Sequence, residues 1–128
     1  MHIRNIDHLV LTVEDVQQTV KFYHDVLGME IIHFEHNRTA LKFGPQKINI
    51  HQVDKVITPN AGMATPGSAD LCLITVEPID EVILHLQQKH INIELGPVER
   101  TGALGKIISI YVRDPDNNLI ELAHYTNT

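Results

Sequence analysis

The chain reads as one pattern written twice. Laid over the first half, the second places Asp70-Leu71-Cys72-Leu73 on His8-Leu9-Val10-Leu11, then Ile79, Ile83 and Leu86 on Val16, Val20 and Tyr23. Further on, Pro115, Ile120 and Glu121 fall on Pro45, Ile50 and His51. The offset grows along the chain, as short insertions in the later loops of the second half would produce. A duplicated supersecondary unit restricts the fold more than composition does, because each copy must hide the same apolar face.

Within the first copy, residues 3–13 alternate, with Leu9, Leu11 and Val13 on one side and His8, Val10 and Thr12 on the other. Glu14 and Asp15 then supply helix-starting acids. Val16, Val20, Tyr23 and Leu27 recur at helical spacing, and Gly28 is the expected left-handed stop. Residues 29–36 and 38–43 read as a hairpin meeting at Asn37, and Gly44-Pro45 turns the chain into a third strand, residues 47–53, with His51 outside. Residues 54–68, which hold Pro59, Asn60, Gly62, Pro66 and Gly67, have no periodicity and form a linker longer than most connections within a compact unit. The second copy then runs as a strand over 69–76, a helix started at Pro78, and strands over 92–95, 106–113 and 118–125. The expectation is an α+β chain, one domain over 1–128, built from two βαβββ modules (1–53 and 69–128) joined by the linker.

Composition narrows the function classes. With ten Lys and Arg spread singly and a formal charge of −6, there is no basic stripe for a phosphate backbone, so no nucleic acid partner is expected. No apolar run is long enough to span a bilayer, and the opening Met1-His2-Ile3-Arg4 lacks a signal-peptide core, so no membrane partner and a cytoplasmic location are expected. Cys72 is the single cysteine, which permits no internal disulfide, and its apolar neighbours favour packing over nucleophilic reactivity. Nine histidines are many for 128 residues; those on alternating strands beside other ligand types are the ones that bear on a metal.

Glu121 is the residue that needs explaining. Asp114-Pro115-Asp116-Asn117 is a turn signal, since Pro115 presets one dihedral and Asp and Asn fold onto nearby amides. The strand that follows turns Ile120 and Leu122 to one face and Leu119, Glu121, Ala123 and Tyr125 to the other. A lone glutamate there would ordinarily be a solvent-facing acid. The repeat changes its meaning, because it pairs His8 with Asp70 on the opening strands and His51 with Glu121 on the closing ones, all on faces turned away from the helices. Imidazole and carboxylate are the ligands that Zn, Ni, Co, Mn or Fe as a divalent ion accepts, so His8, His51, Asp70 and Glu121 form a candidate site for one such ion. If the modules pack about a pseudo-twofold axis, the four positions converge inside a curved sheet.

Paired βαβββ modules, Ile6-Asp7-His8-Leu9-Val10-Leu11, Phe22-Tyr23 before Leu27-Gly28-Met29, and the closing Asp-Pro-Asp…Ile-Glu-Leu together resemble the vicinal oxygen chelate superfamily. That group holds glyoxalase I, fosfomycin resistance proteins, extradiol dioxygenases, methylmalonyl-CoA epimerase and bleomycin resistance proteins. Over its whole length the chain is similar to the short glyoxalase-domain members described as glyoxalase domain-containing protein 5 or as virulence proteins, through Gln46-Lys47-Ile48-Asn49-Ile50-His51-Gln52, Pro66-Gly67-Ser68 and Gly96-Pro97-Val98-Glu99-Arg100-Thr101-Gly102. The resemblance implies a cup-shaped sheet and a homodimer. It makes His8 the first-strand ligand and Glu121 the last-strand ligand. Asp70 stands where many members have a second histidine, and the remaining module-one position falls on Asn49 or on His51 according to register.

The implied chemistry is lyase or isomerase turnover of a small molecule that chelates the ion through adjacent oxygens, with Glu121 moving the proton. Arg100, Thr101 and Lys106, read as a loop before the penultimate strand, would grip an anionic substrate group, and Thr12 and Cys72 would line the cup. Two alternatives stay open: an extradiol-type dioxygenase using His8, His51 and Glu121, and a metal-free protein that sequesters a ligand as bleomycin resistance proteins do. With no Trp and only three Phe and three Tyr, the chain is poorly supplied for stacking a large aromatic drug.

Overall fold

A computed structural model describes residues 1–55 and 57–126. Val56 of the expected linker and residues 127 and 128 of the second module lie outside the described residues. The chain divides into two compact units, residues 1–68 and 69–128, and each has the same order of elements.

Module one runs β1 (His8–Val13), α1 (Val16–Asp25), β2 (Glu30–Phe34), β3 (Arg38–Phe43) and β4 (Gln46–Gln52). Its four-stranded sheet has the order β1-β4-β3-β2, with β1 parallel to β4 and the other pairs antiparallel. Asp15 caps α1, its Oδ1 accepting from the Gln17 and Gln18 amides. Gly28, at φ +75°, closes that helix by donating its N–H to the His24 carbonyl. The β2–β3 turn places both His36 and Asn37 at positive φ, the conformation of the hairpin turns whose twist matches the strands. Leu11, Val13, Leu41, Ile48 and Ile50 of the sheet are buried together with Val20 and Tyr23 of the helix. Each such aliphatic side chain stabilises the fold by about 1.5–3 kcal/mol.

Module two runs β5 (Asp70–Ile74), α2 (Ile79–Gln88), β6 (Leu95–Gly102), β7 (Gly105–Arg113) and β8 (Leu119–Tyr125), in the sheet order β5-β8-β7-β6. Pro78 precedes α2, as read from the sequence, and Ile79, Val82 and Leu86 are buried with Ile110, Val112, Ile120 and Leu122. His90 rather than a glycine takes the left-handed position after this helix, and the Ile91 and His90 amides close it on the Leu86 and Gln87 carbonyls.

One strand differs from expectation. Residues 92–95 were to form the strand before Gly96-Pro97; instead β6 starts at Leu95 and runs through both. Pro97 is tolerated because β6 is the sheet edge and its ladder to β7 is irregular between Leu95 and Val98. Gly96 is required there, since a Cβ would sit 2.5 Å from the Ser109 carbonyl oxygen. As a result Arg100 and Thr101 lie on β6 and Lys106 on β7, flanking a tight turn rather than forming a loop.

The turn before β8 is fixed from within. Asp114 Oδ1 accepts from the Asp116 and Asn118 amides, and its Oδ2 accepts from Asn118 Nδ2. Asn118 Oδ1 in turn accepts from the Ala69 amide, which ties the start of β5 to the start of β8. Asn117 takes φ +69°, as a turn residue of its type can. This buried network sets the register in which Glu121 is presented.

Candidate functional site

The parallel ladders decide which residues share a row. In module one His8 pairs with Lys47, Val10 with Asn49 and Thr12 with His51; in module two Asp70 pairs with Leu119, Cys72 with Glu121 and Ile74 with Ala123. Since Asp70 is the counterpart of His8, Glu121 is the counterpart of Asn49, and His51 is the counterpart of Ala123. The pairing of His51 with Glu121 read from the repeat is therefore shifted by two residues. His51 stands four residues beyond Lys47, the partner of His8, which is about 13 Å along the strand.

Module one's face opposite α1 carries His8 and Thr12 of β1, Lys47, Asn49 and His51 of β4, Arg38 and Lys42 of β3, and Phe34 of β2. His8 Nδ1 lies 2.8 Å from Asp7 Oδ2. With Nδ1 donating its proton to that carboxylate, Nε2 keeps its lone pair, the arrangement found behind metal-bound histidines. Asp7 was not singled out from the sequence. Adjacent strand residues point to opposite faces, but Asp7 precedes β1 and is free of that alternation.

His51, expected outside, is 7% exposed. Arg38 Nη2 lies 3.4 Å from His51 Nε2, so the ring nitrogen that would take a metal faces a guanidinium. Burial and the Arg38 charge hold the His51 imidazole below its ordinary range, which keeps it neutral near pH 7. Asn49 is 4% exposed and its Oδ1 has no hydrogen-bond partner among the described residues; the same is true of the buried Arg38 Nε.

On module two's face opposite α2 stand Asp70, Cys72, Glu121, Ser109, Tyr111, Arg100 and Arg113. Ser109 Oγ donates to Glu121 Oε2 at 2.6 Å, and Ser109 is fully buried, so the carboxylate is held from beneath. Burial and then the Glu121 carboxylate push the Cys72 thiol up to about 11, so Cys72 stays protonated and donates to Glu121. Arg100 Nε donates to the Tyr111 hydroxyl at 2.9 Å and its guanidinium lies over that ring. Thr101 and Lys106 pair with each other one position along from the Arg100 row and so face the other side of the sheet from Glu121. Arg113 is engaged by Glu94 at 2.9 Å and lies in the field of Asp70.

Among the described residues, no three His, Cys, Asp or Glu side chains are gathered so that they could hold a metal ion. In module one His8 and His51 stand about 13 Å apart along the ladder, and in module two Asp70 and Glu121 lie one row apart on the same face. In donor chemistry the fit to a borderline divalent ion is good. His8 has a carboxylate against Nδ1, which leaves Nε2 as its ligand nitrogen when Nδ1 is the donor, and Glu121 is a carboxylate that accepts from two neighbours.

Residues 5–122 match the model of the Glyoxalase/Bleomycin resistance protein/Dioxygenase superfamily. The chain is 56% identical to virulence protein STM3117 of Salmonella typhimurium, over 98% of this chain and 87% of that one. The crystal structure of that protein superposes with a TM-score of 0.97, covering 98% of this chain and all of the solved one. Glyoxalase domain-containing protein RDO1 of Mycosarcoma maydis is 50% identical over 98% of this chain and 70% of its own length. More distantly, a lactoylglutathione lyase of Schizosaccharomyces pombe is 27% identical over the whole of this chain and 50% of its own. On the match over nearly its full length, the chain belongs to the Glyoxalase/Bleomycin resistance protein/Dioxygenase superfamily.

Proposed function

We propose that this protein is a metal-dependent enzyme of the glyoxalase kind, a lyase or isomerase acting on a small molecule with adjacent oxygens. The observation that carries the reading is the Asp7–His8 pair, which spends Nδ1 on a carboxylate and leaves Nε2 for a ligand. His8, Glu121 and Asp70 would hold the ion. Bound there, the ion would supply Lewis-acid polarisation of the substrate's adjacent oxygens.

This chain's own residues do the rest. Glu121 takes the proton, with Ser109 on Oε2 and the Cys72 thiol fixing its orientation so that it does not swing out to water. Arg100, braced on Tyr111, presents a guanidinium to an anionic substituent of the substrate. Thr12 and Cys72 border the faces on which the substrate would lie. Arg38 against Nε2 of His51 disfavours the dioxygenase set of His8, His51 and Glu121, so we assign His51 to ligand contact rather than to the ion. A ligand-sequestering role is the second reading, favoured by the unpaired Asn49 Oδ1, a buried acceptor with no use in the ion's donor set proposed here.

The test is a metal-replete activity screen against a hemithioacetal, a catechol and fosfomycin, run for wild type beside Glu121→Gln. Turnover of one of them, reduced about a hundredfold or more in the variant, is expected, since general-base groups are worth that much. Turnover unchanged by the substitution removes Glu121 from the mechanism.

A further inference from the structure

The face of module one carries a set of groups that the proton-transfer chemistry leaves unused. The Arg38 guanidinium lies 4.9 Å from the Phe34 ring centroid and the Lys47 ammonium 4.1 Å from the same centroid. Two cations on one ring repel each other. The ring's quadrupole attracts each of them but cannot neutralise either. In a chain of net charge −6 with sixteen acids, neither is in an ion pair seen among the described residues; Asp7 is engaged by His8 and Glu94 by Arg113. Glu30 is on the same face and in the same row as Lys47, but Lys42 stands between them on the intervening strand. The other neighbour, His51, is neutral and adds no negative charge.

Arg38 is further marked by an Nε that is cut off from water and has no acceptor, while Asn49, 4% exposed on the adjacent strand, has an Oδ1 that is cut off and has no donor. Buried polar atoms without partners are rare, because they forgo the hydrogen bonds that water gave them. Here a planar donor and a carbonyl acceptor are both unmet on one face, one row apart along neighbouring strands.

We infer that this face is a subsite for a small oxyanion, a carboxylate or phosphate group, gripped by Arg38 and Lys47 above Phe34. A guanidinium edge matches a carboxylate or phosphate in two parallel hydrogen bonds, and the ammonium adds a point charge. The subsite rests on the reading of this face as a ligand face but not on the ion, so it stands if metal dependence fails.

The experiment is calorimetric titration of EDTA-treated protein, at constant ionic strength, with inorganic phosphate and separately with lactate, a carboxylate bearing a neighbouring hydroxyl. Wild type is expected to bind at least one of them in the millimolar range or tighter, and Arg38→Gln and Lys47→Gln to weaken it each by about tenfold. Lys42→Gln, on the same face but without contact to Phe34, should change it less than about twofold. Tighter lactate places the substrate's own acid group there; tighter phosphate places a free or esterified phosphate there. Should Arg38→Gln fail to fold by circular dichroism, Lys47→Gln carries the test. Absence of binding by wild type up to about 50 mM, on the scale of weak affinities, or folded Lys47→Gln binding as wild type does, overturns the assignment.

Discussion

Where module two carries Glu121, module one carries Asn49, and the surroundings differ in the same sense. Glu121 is supported by a hydroxyl and a thiol that both donate to it, and the arginines on its face are engaged by Tyr111 and Glu94. Around Asn49 stand Arg38 and Lys47 without a carboxylate, a neutral His51 and two unpaired buried polar atoms. The ladders are alike, so the difference is not one of fold. The two copies share a scaffold and differ in the side chains on it: one face holds a carboxylate that accepts from Ser109 and Cys72, the other carries an amide beside two cations.

The largest effect expected from breaking this comparison is on stability, at the turns that set the last strands. Module two anchors its turn by Asp114, with three hydrogen bonds on a buried carboxylate, whereas module one uses Gly44 at φ +50°. Asp114→Ala is expected to cost about 2–4 kcal/mol in urea unfolding, because Asn118 loses its partner as well. Gly44→Ala is expected to cost about 1 kcal/mol from backbone strain alone. Equal costs would mean that the buried network does not set the register.

A smaller effect concerns the support of Glu121. Alkylation of Cys72 should be slow at neutral pH and rise toward half-maximum near pH 11, as the raised thiol value requires. Glu121→Gln removes the carboxylate's contribution, so the rise must move to lower pH while staying above the ordinary thiol range, because burial remains the larger cause. A profile that does not move with this substitution would separate Cys72 from Glu121.

Smallest is the pH dependence contributed by His51. Its folded value lies below the ordinary 6.5, so the unfolded chain takes the proton more readily. The folded state is then unaffected above about pH 6.5 and loses stability as pH falls below it, toward the depressed folded value. His51→Gln should flatten that part of the stability profile, read by thermal unfolding between pH 7.5 and 5 in the range where imidazole titrates.

Much of this was legible in the residues. The two βαβββ modules, the helix starts at Asp15 and Pro78, the stop at Gly28 and the turn into β8 all follow from local chemistry that the tertiary fold does not override. The register of β4 against β8 was not. Strand side chains repeat every two residues, so sliding one strand by two keeps every apolar residue inward, and His51 and Asn49 are equally good matches for Glu121 on pattern alone. The hydrogen-bond ladder decides for Asn49. Pro97 hid β6, since proline reads as a break unless the strand is known to be an edge. Ser109 and Arg38 were invisible as partners of Glu121 and His51, because antiparallel pairing with β7 and β3 brings together residues far apart in sequence.

The most direct measurement is metal stoichiometry by elemental analysis after dialysis against Co2+, on wild type, His8→Ala and Glu121→Gln, with folding verified for each. Ligation of one ion by both His8 and Glu121 predicts one ion per chain in wild type and its loss in either variant. Wild type that retains no ion, or either variant that retains it fully, would contradict the assignment of His8 and Glu121 to a common metal.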